Sequence, residues 1–218
     1  MPRTPKPKPN AVSPNNPCPF LRALVAQGHL ADAGQPIGEV VSTIVEVARA
    51  GDGAPKLAAP AIGAIALMAN GMGPLQLAQN ALGGVRLNQL RNGPLDKKGV
   101  GSGILDALGQ VNTTELDRLD EFASEHSDAE GRTERGLDLA GLKRMMDANF
   151  ERAAGKRRRI DRKLMDGEWP ILLKVMGKDG THGRYLSVED VRTLFTQRRL
   201  PQRMSKRLNE PTQKARAA

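Results

Sequence analysis

Asn16-Pro17-Cys18-Pro19-Phe20-Leu21-Arg22-Ala23-Leu24-Val25-Ala26-Gln27-Gly28-His29-Leu30 is the stretch on which the reading of this chain turns. It holds the only cysteine of 218 residues, set between two prolines. Both prolines fix φ and lack an N–H. Pro19 suits the first helical position, and Phe20, Leu21, Leu24 and Val25 follow at helical spacing. Gly28 then reads as the helix stop. Cys18 is therefore expected at a helix N-terminus, where free N–H groups and the positive dipole end favour an anionic sulfur. A thiolate held in that way can attack, or it can hold a soft metal. The same residues also read as a buried structural cysteine in a proline-rich loop.

Composition bounds the rest. Apolar residues make up 39% and charged residues 26%, which suits a globular protein. Aromatic residues are only 3%, so the core must come from Leu, Ala, Val, Ile and Met. Ala and Leu richness favours helix over sheet. The formal charge is +9, with much of it in the last third of the chain. A single cysteine excludes an internal disulfide framework. Residues 1–16 are rich in Pro, Lys and Asn, lack the apolar core of a signal peptide, and read as a disordered leader. With its opening Met, this points to a cytoplasmic or otherwise intracellular protein.

Further along, Ile37 to Ala50 reads as an amphipathic helix with Val40, Val41, Ile44, Val45 and Ala48 inward. Leu57 to Val85 carries no charge. Its Pro, Gly, Asn and Gln interruptions argue against a membrane span and for two buried, Ala-rich helices, 58–70 and 74–81. Thr113 and Thr114 precede an N-capped helix, with Asp117 completing a box after Thr114. Leu139, Leu142, Met145, Met146 and Phe150 mark a helix over 137–153. The cluster Lys156-Arg157-Arg158-Arg159-Ile160-Asp161-Arg162-Lys163 could meet phosphate. Without interleaved aromatics it reads as a solvated face, so nucleic acid is not the expected partner. Ile171–Met176 reads as a short strand. An EF-hand over 179–189 fails, because Lys178, Gly180 and His182 fall where oxygen ligands are needed. Ser187 to Asp190 forms a capping box that opens a helix with Val191, Leu194 and Phe195 inward.

Three segments, in order, resemble the haem-thiolate peroxidases, the family of fungal chloroperoxidase and the unspecific peroxygenases. The first is Pro17-Cys18-Pro19 with Leu24, Gly28 and Leu30. The second is Glu125-His126-Ser127-Asp128, in which an inserted Ser127 sets Asp128 one place later than in the family. The third runs from Glu168-Trp169-Pro170 to the closing Leu194-Phe195-Thr196-Gln197-Arg198-Arg199-Leu200-Pro201. The resemblance implies haem b with Cys18 as its axial ligand, and a divalent cation such as Mg²⁺ beside a propionate, held by Glu125 and Asp128. It also implies Glu168 as the distal acid–base residue, oriented by His126. Glu189, in the first turn of a helix, is the other carboxylate available for that role. The expected fold is mainly α, a single haem domain over 17–201 with at most a short β pair, followed by a disordered basic tail over 202–218. The expected function is oxidation of a small organic substrate or a halide by hydrogen peroxide. Two alternatives remain: a haem-binding relative without catalysis, and a basic helical binding protein without haem.

Overall fold

The computed structural model describes residues 11–91, 93–97, 100–128 and 130–210. Helix α1 (Pro19–Ala26) begins where Pro19 permits and ends at Gly28, whose φ of +77° closes the C-terminal turn. The His29 N–H then donates back to the Leu24 carbonyl oxygen at 2.8 Å. Next come α2 (Ile37–Arg49), α3 (Ala59–Met68) and α4 (Pro74–Gly83), each placed as the periodicity predicts. The α3–α4 pair departs from expectation in its burial. Only Ala66 on α3 and Asn80 on α4 are buried, and Ile65, Met72, Leu75 and Leu82 face outward.

The expected helix after Thr114 is broken into α5 (Thr113–Asp117) and α6 (Leu119–Phe122). Its N-cap is Asn112, which accepts the Glu115 N–H, rather than a threonine. The chain then turns into strand β1 (Ser124–Ser127) and its partner β2 (Thr133–Leu137). Asp138 caps α7 (Leu139–Arg152), whose Leu142, Met145 and Met146 are buried.

Helix α8 runs from Arg159 to Met176 and absorbs the segment read as a strand. The reason is its stripe: Met165, Trp169, Leu173 and Met176 are all buried, at spacings of four, four and three. Burial along one face outweighs Pro170, which removes one intrahelical hydrogen bond. Strands β3 (Lys178–Gly180) and β4 (Gly183–Ser187) form a second hairpin, and the sheet is antiparallel in the order β1-β2-β4-β3. Ser187 caps α9 (Val188–Thr196) by accepting the Asp190 N–H, with Val191, Leu194 and Phe195 inward as expected.

Both ends depart from the irregular segments expected. Residues 202–209 form helix α10 (Gln202–Asn209) with Met204 fully buried, while residues 211–218 lie outside the described residues. In the leader, Asn16 is fully buried and the Asn15 carbonyl oxygen accepts the Arg91 N–H at 2.8 Å. Residues 1–10 lie outside the described residues. The architecture is mainly α with a small sheet, and one hydrophobic core runs from α1 through α10.

Candidate functional site

Cys18 is the N-cap of α1, in extended conformation (φ −87°, ψ 113°). Its own N–H donates to Asn16 Oδ1 at 3.2 Å. The buried Arg22 guanidinium fastens the preceding loop, donating to the carbonyl oxygens of Ser13 (2.9 Å), Asn16 (3.1 Å) and Gly109 (3.1 Å). Although the residue is half-buried by area, protein packs closely around the sulfur. Burial therefore pushes the thiol up, more strongly than the Leu21 and Phe20 N–H groups pull it down. Glu168 pushes it further up and Lys97 works the other way. The helix terminus alone does not hold Cys18 as the expected thiolate; desolvation wins. A metal cation at the sulfur would reverse that balance.

Glu168 lies on α8, half-exposed, and forms an ion pair with Lys97. Its charge reaches Cys18, so the structure brings Cys18, Lys97 and Glu168 into one neighbourhood. His126 belongs elsewhere. It sits on β1, buried, stacked on the Tyr185 ring at 4.5 Å and 8°, and hydrogen-bonded with Ser124 Oγ at 3.0 Å. Among the described residues no hydrogen bond joins His126 to Glu168, so the expected orienting contact is not made. The cause is strand alternation, which turns His126 onto the face covered by Tyr185.

The same alternation separates Glu125 from Asp128. Glu125 is exposed, and Asp128 is buried on the His126 side. Asp128 is also committed to its own turn. Its Oδ1 accepts the Glu130 N–H (3.0 Å) and the Arg132 N–H (2.9 Å), and its Oδ2 accepts from Arg132 Nε (2.7 Å). The two carboxylates therefore do not meet at one cation. Among the described residues no group of three or more His, Cys, Asp or Glu side chains could hold a metal ion. Glu189 stands apart as well, on the rim of an open groove of about 270 Å³ with Asp120, Glu134, Arg135, Val188 and Arg192.

Glu134, a residue the motifs did not single out, is the hub of the sheet. Its Oε1 accepts from Tyr185 Oη (2.8 Å) and Lys178 Nζ (2.5 Å), and its Oε2 accepts from Ser187 Oγ (2.7 Å). Burial raises the Glu134 carboxyl, but the hydrogen bonds from Lys178, Ser187 and Tyr185 together leave it below the ordinary carboxylate range. Burial and Glu134 both push the Tyr185 phenol upward, so it remains a donor. Alternation within Gly183-Arg184-Tyr185-Leu186-Ser187 was the one available signal. Nothing in the sequence ties Tyr185 to a glutamate 51 residues away.

No protein-family model matches the chain, and neither curated proteins nor solved structures show a significant match to it. No helix among the described residues is long and apolar enough to cross a membrane. As a haem ligand set, the residues fit in one part. Cys18, at the N-terminus of α1, is the residue type of an axial thiolate, but protein packs closely around its sulfur. His126 makes no hydrogen bond to Glu168 among the described residues, and Glu125 and Asp128 face opposite ways.

Proposed function

We propose that this chain binds haem b through Cys18 and acts as a haem-thiolate peroxidase or peroxygenase, taking hydrogen peroxide and a small organic substrate or a halide. The observation that carries this reading is the placement of Cys18 as the N-cap of α1, at the positive end of that helix. The helix N-terminus would favour the anionic sulfur once iron supplied a positive charge. Bound haem would supply the redox chemistry, and donation from the cysteine sulfur favours O–O cleavage.

Among this chain's own residues, Asn16 and Arg22 hold the cysteine loop. Glu168 is the carboxylate that the family resemblance assigns to proton transfer, and it lies on α8 beside Lys97. A carboxylate in this role takes the peroxide proton and returns it to the leaving oxygen. His126 and the Glu125–Asp128 pair take no part in this reading.

The commitment of His126 to Tyr185 and of Asp128 to Arg132 favours a second reading, a haem-binding protein without peroxide turnover. Reconstitution with haem separates the readings. The reduced CO complex should give a thiolate-type red-shifted band, and Cys18→Ala should abolish it. A band that survives Cys18→Ala, or no haem uptake by the wild type, would overturn the proposal. With haem in place, Glu168→Gln should slow peroxide consumption by about 10²–10⁴-fold under the first reading. Under the second there is no turnover to slow.

A further inference from the structure

The α3–α4 segment has the composition of a core and lies at the surface. From Leu57 to Val85 no residue is charged. Every residue of α3 is Ala, Ile, Leu, Met, Gly or Pro, and a helix that is apolar on all sides belongs in an interior. Yet from Leu57 to Gly83 only Ala66, Ala69 and Asn80 are buried. Eight large apolar side chains are exposed among the described residues, and four of them stand here: Ile65, Met72, Leu75 and Leu82, the last at 91%. Exposed apolar surface gathered in this way marks a face that a partner covers.

The face has a regular pattern. Leu75, Ala78 and Leu82 on α4 are all exposed and stand three and four residues apart, the spacing of one helix face. Gln79 beside them is exposed too, and its amide carries both donors and an acceptor.

These residues select the occupant. Residues 1–10 and 211–218 of the chain itself hold one large apolar side chain, Met1, too few to cover four. A nucleic acid or an acidic protein is held by cations, and the segment offers none. A bilayer would take the Gln76 and Gln79 amides into hydrocarbon without partners. It would also meet α2, which packs on α3 and exposes Glu39 and Glu46. A second copy of the chain meets each condition. In a two-fold contact a surface faces its own image, so a charge near the axis repels itself, and here there is none. The extent suffices as well. With three residues buried, about two dozen of the segment are exposed or half-exposed, against about 20–30 a side in a standard interface.

We propose that the α3–α4 surface is the interface of a homodimer, with α4 of one copy packed antiparallel on α4 of the other about a two-fold axis. That arrangement sets Leu75 of one copy against Leu82 of the other. It brings Ala78 and Gln79 to the axis, where the small side chain allows close approach and the two amides pair. Cys18, Lys97 and Glu168 lie outside the segment, so the dimer does not depend on haem.

Sedimentation equilibrium of the full chain tests the interface. The wild type should show twice the mass of one chain, and Leu82→Lys should weaken the dimer at least about 100-fold, because the axis places the change in both copies. At 91% exposure the substitution leaves the stability of the single chain nearly unchanged. Leu108→Lys, at an exposed leucine outside the segment, should leave the dimer intact. A wild-type chain that stays monomeric at about 0.1 mM overturns the proposal. So does a dimer that persists in Leu82→Lys, or one that Leu108→Lys disrupts as strongly. Binding of the wild type to phosphatidylcholine vesicles without self-association would assign the face to lipid and overturn it as well. Should Leu82→Lys not fold, Leu75→Lys gives the same test at the other end of the stripe.

Discussion

Replacing Glu134 by leucine should cost this protein about 3 kcal/mol, although the residue lies outside every motif in the sequence. Glu134 accepts from three donors, Tyr185 Oη, Ser187 Oγ and Lys178 Nζ. Tyr185 and Ser187 are fully buried, so Glu134→Leu strands two hydroxyl donors away from water. Each stranded group costs about 1–3 kcal/mol. Lys178 remains partly exposed and can turn to solvent, so it adds little. For a chain of this size a loss of 3 kcal/mol lowers Tm by about 6–12 °C. Glu134→Gln keeps one acceptor oxygen and should cost less, about 1 kcal/mol.

Urea unfolding followed by the fluorescence of Trp169, the single tryptophan, reads these values against an unchanged m. Glu125→Leu, on the exposed face of the neighbouring strand, is the control and should stay within about 0.5 kcal/mol of wild type. The pH dependence has a definite sign. The folded-state pKa of Glu134 is depressed, so its contribution is present above the unfolded value and is lost as pH falls through the folded one. Glu134→Gln should flatten that acid limb. A Glu134→Leu protein as stable as the Glu125→Leu control would refute the hub.

His126→Ala should lower stability by about 2 kcal/mol, combining the lost stack on Tyr185 with the cavity left behind, and leave any thiolate spectrum unchanged. Slower peroxide consumption by this variant at unchanged stability would instead restore the orienting role that the family resemblance gave it. Gly51→Ala should cost roughly 1–3 kcal/mol in the same urea assay, because a Cβ there would stand 2.2 Å from the Val175 carbonyl oxygen and force α2 away from α8.

The helices were legible wherever a terminator or a cap coincided with an apolar stripe. Pro19 and Gly28 bound α1, and Ser187 with Asp190 opened α9, because these residues act locally. Ile171–Met176 misled for a physical reason. A run of five apolar residues in six positions after a proline, broken only by Lys174, fits a buried strand as well as the end of a helix. What decides is Trp169 and Met165 one and two turns earlier, which extend the buried face across Pro170. Glu125–Asp128 misled in the opposite direction. The resemblance drew its charges together at one cation, yet they lie on a strand and its turn, where Gly131 at φ +78° and the Asp128 side chain close a hairpin. Of the site, Cys18 was visible because its two prolines are adjacent in sequence. The separation of His126 from Glu168, and the gathering of Lys178, Tyr185 and Ser187 on Glu134, depend on strand pairing across dozens of residues.

The strong positive charge is explained by the same partners. Within Lys156–Lys163, Arg157 pairs with Glu151 and lies 4.3 Å over the Phe150 ring, Arg158 pairs with Asp161, and Arg162 bridges Asp147 and Asp166. Half of that cluster is therefore fastening α8 rather than facing solvent or phosphate. Arg203 does comparable work at the other end. It reaches Asp52 after α2, Asp190 on α9 and the Met176 carbonyl oxygen at the end of α8, while Arg207 joins Asp52 and the Ala50 carbonyl oxygen. This clamp gives α10 a reason to form. Its polar side chains would not hold a helix in isolation, since short helices are marginal in water. Two arginines on three acceptor-rich helix ends, with Met204 buried between them, supply what local propensity lacks. A basic tail is thus drawn into the fold by acidic groups that the core had already placed.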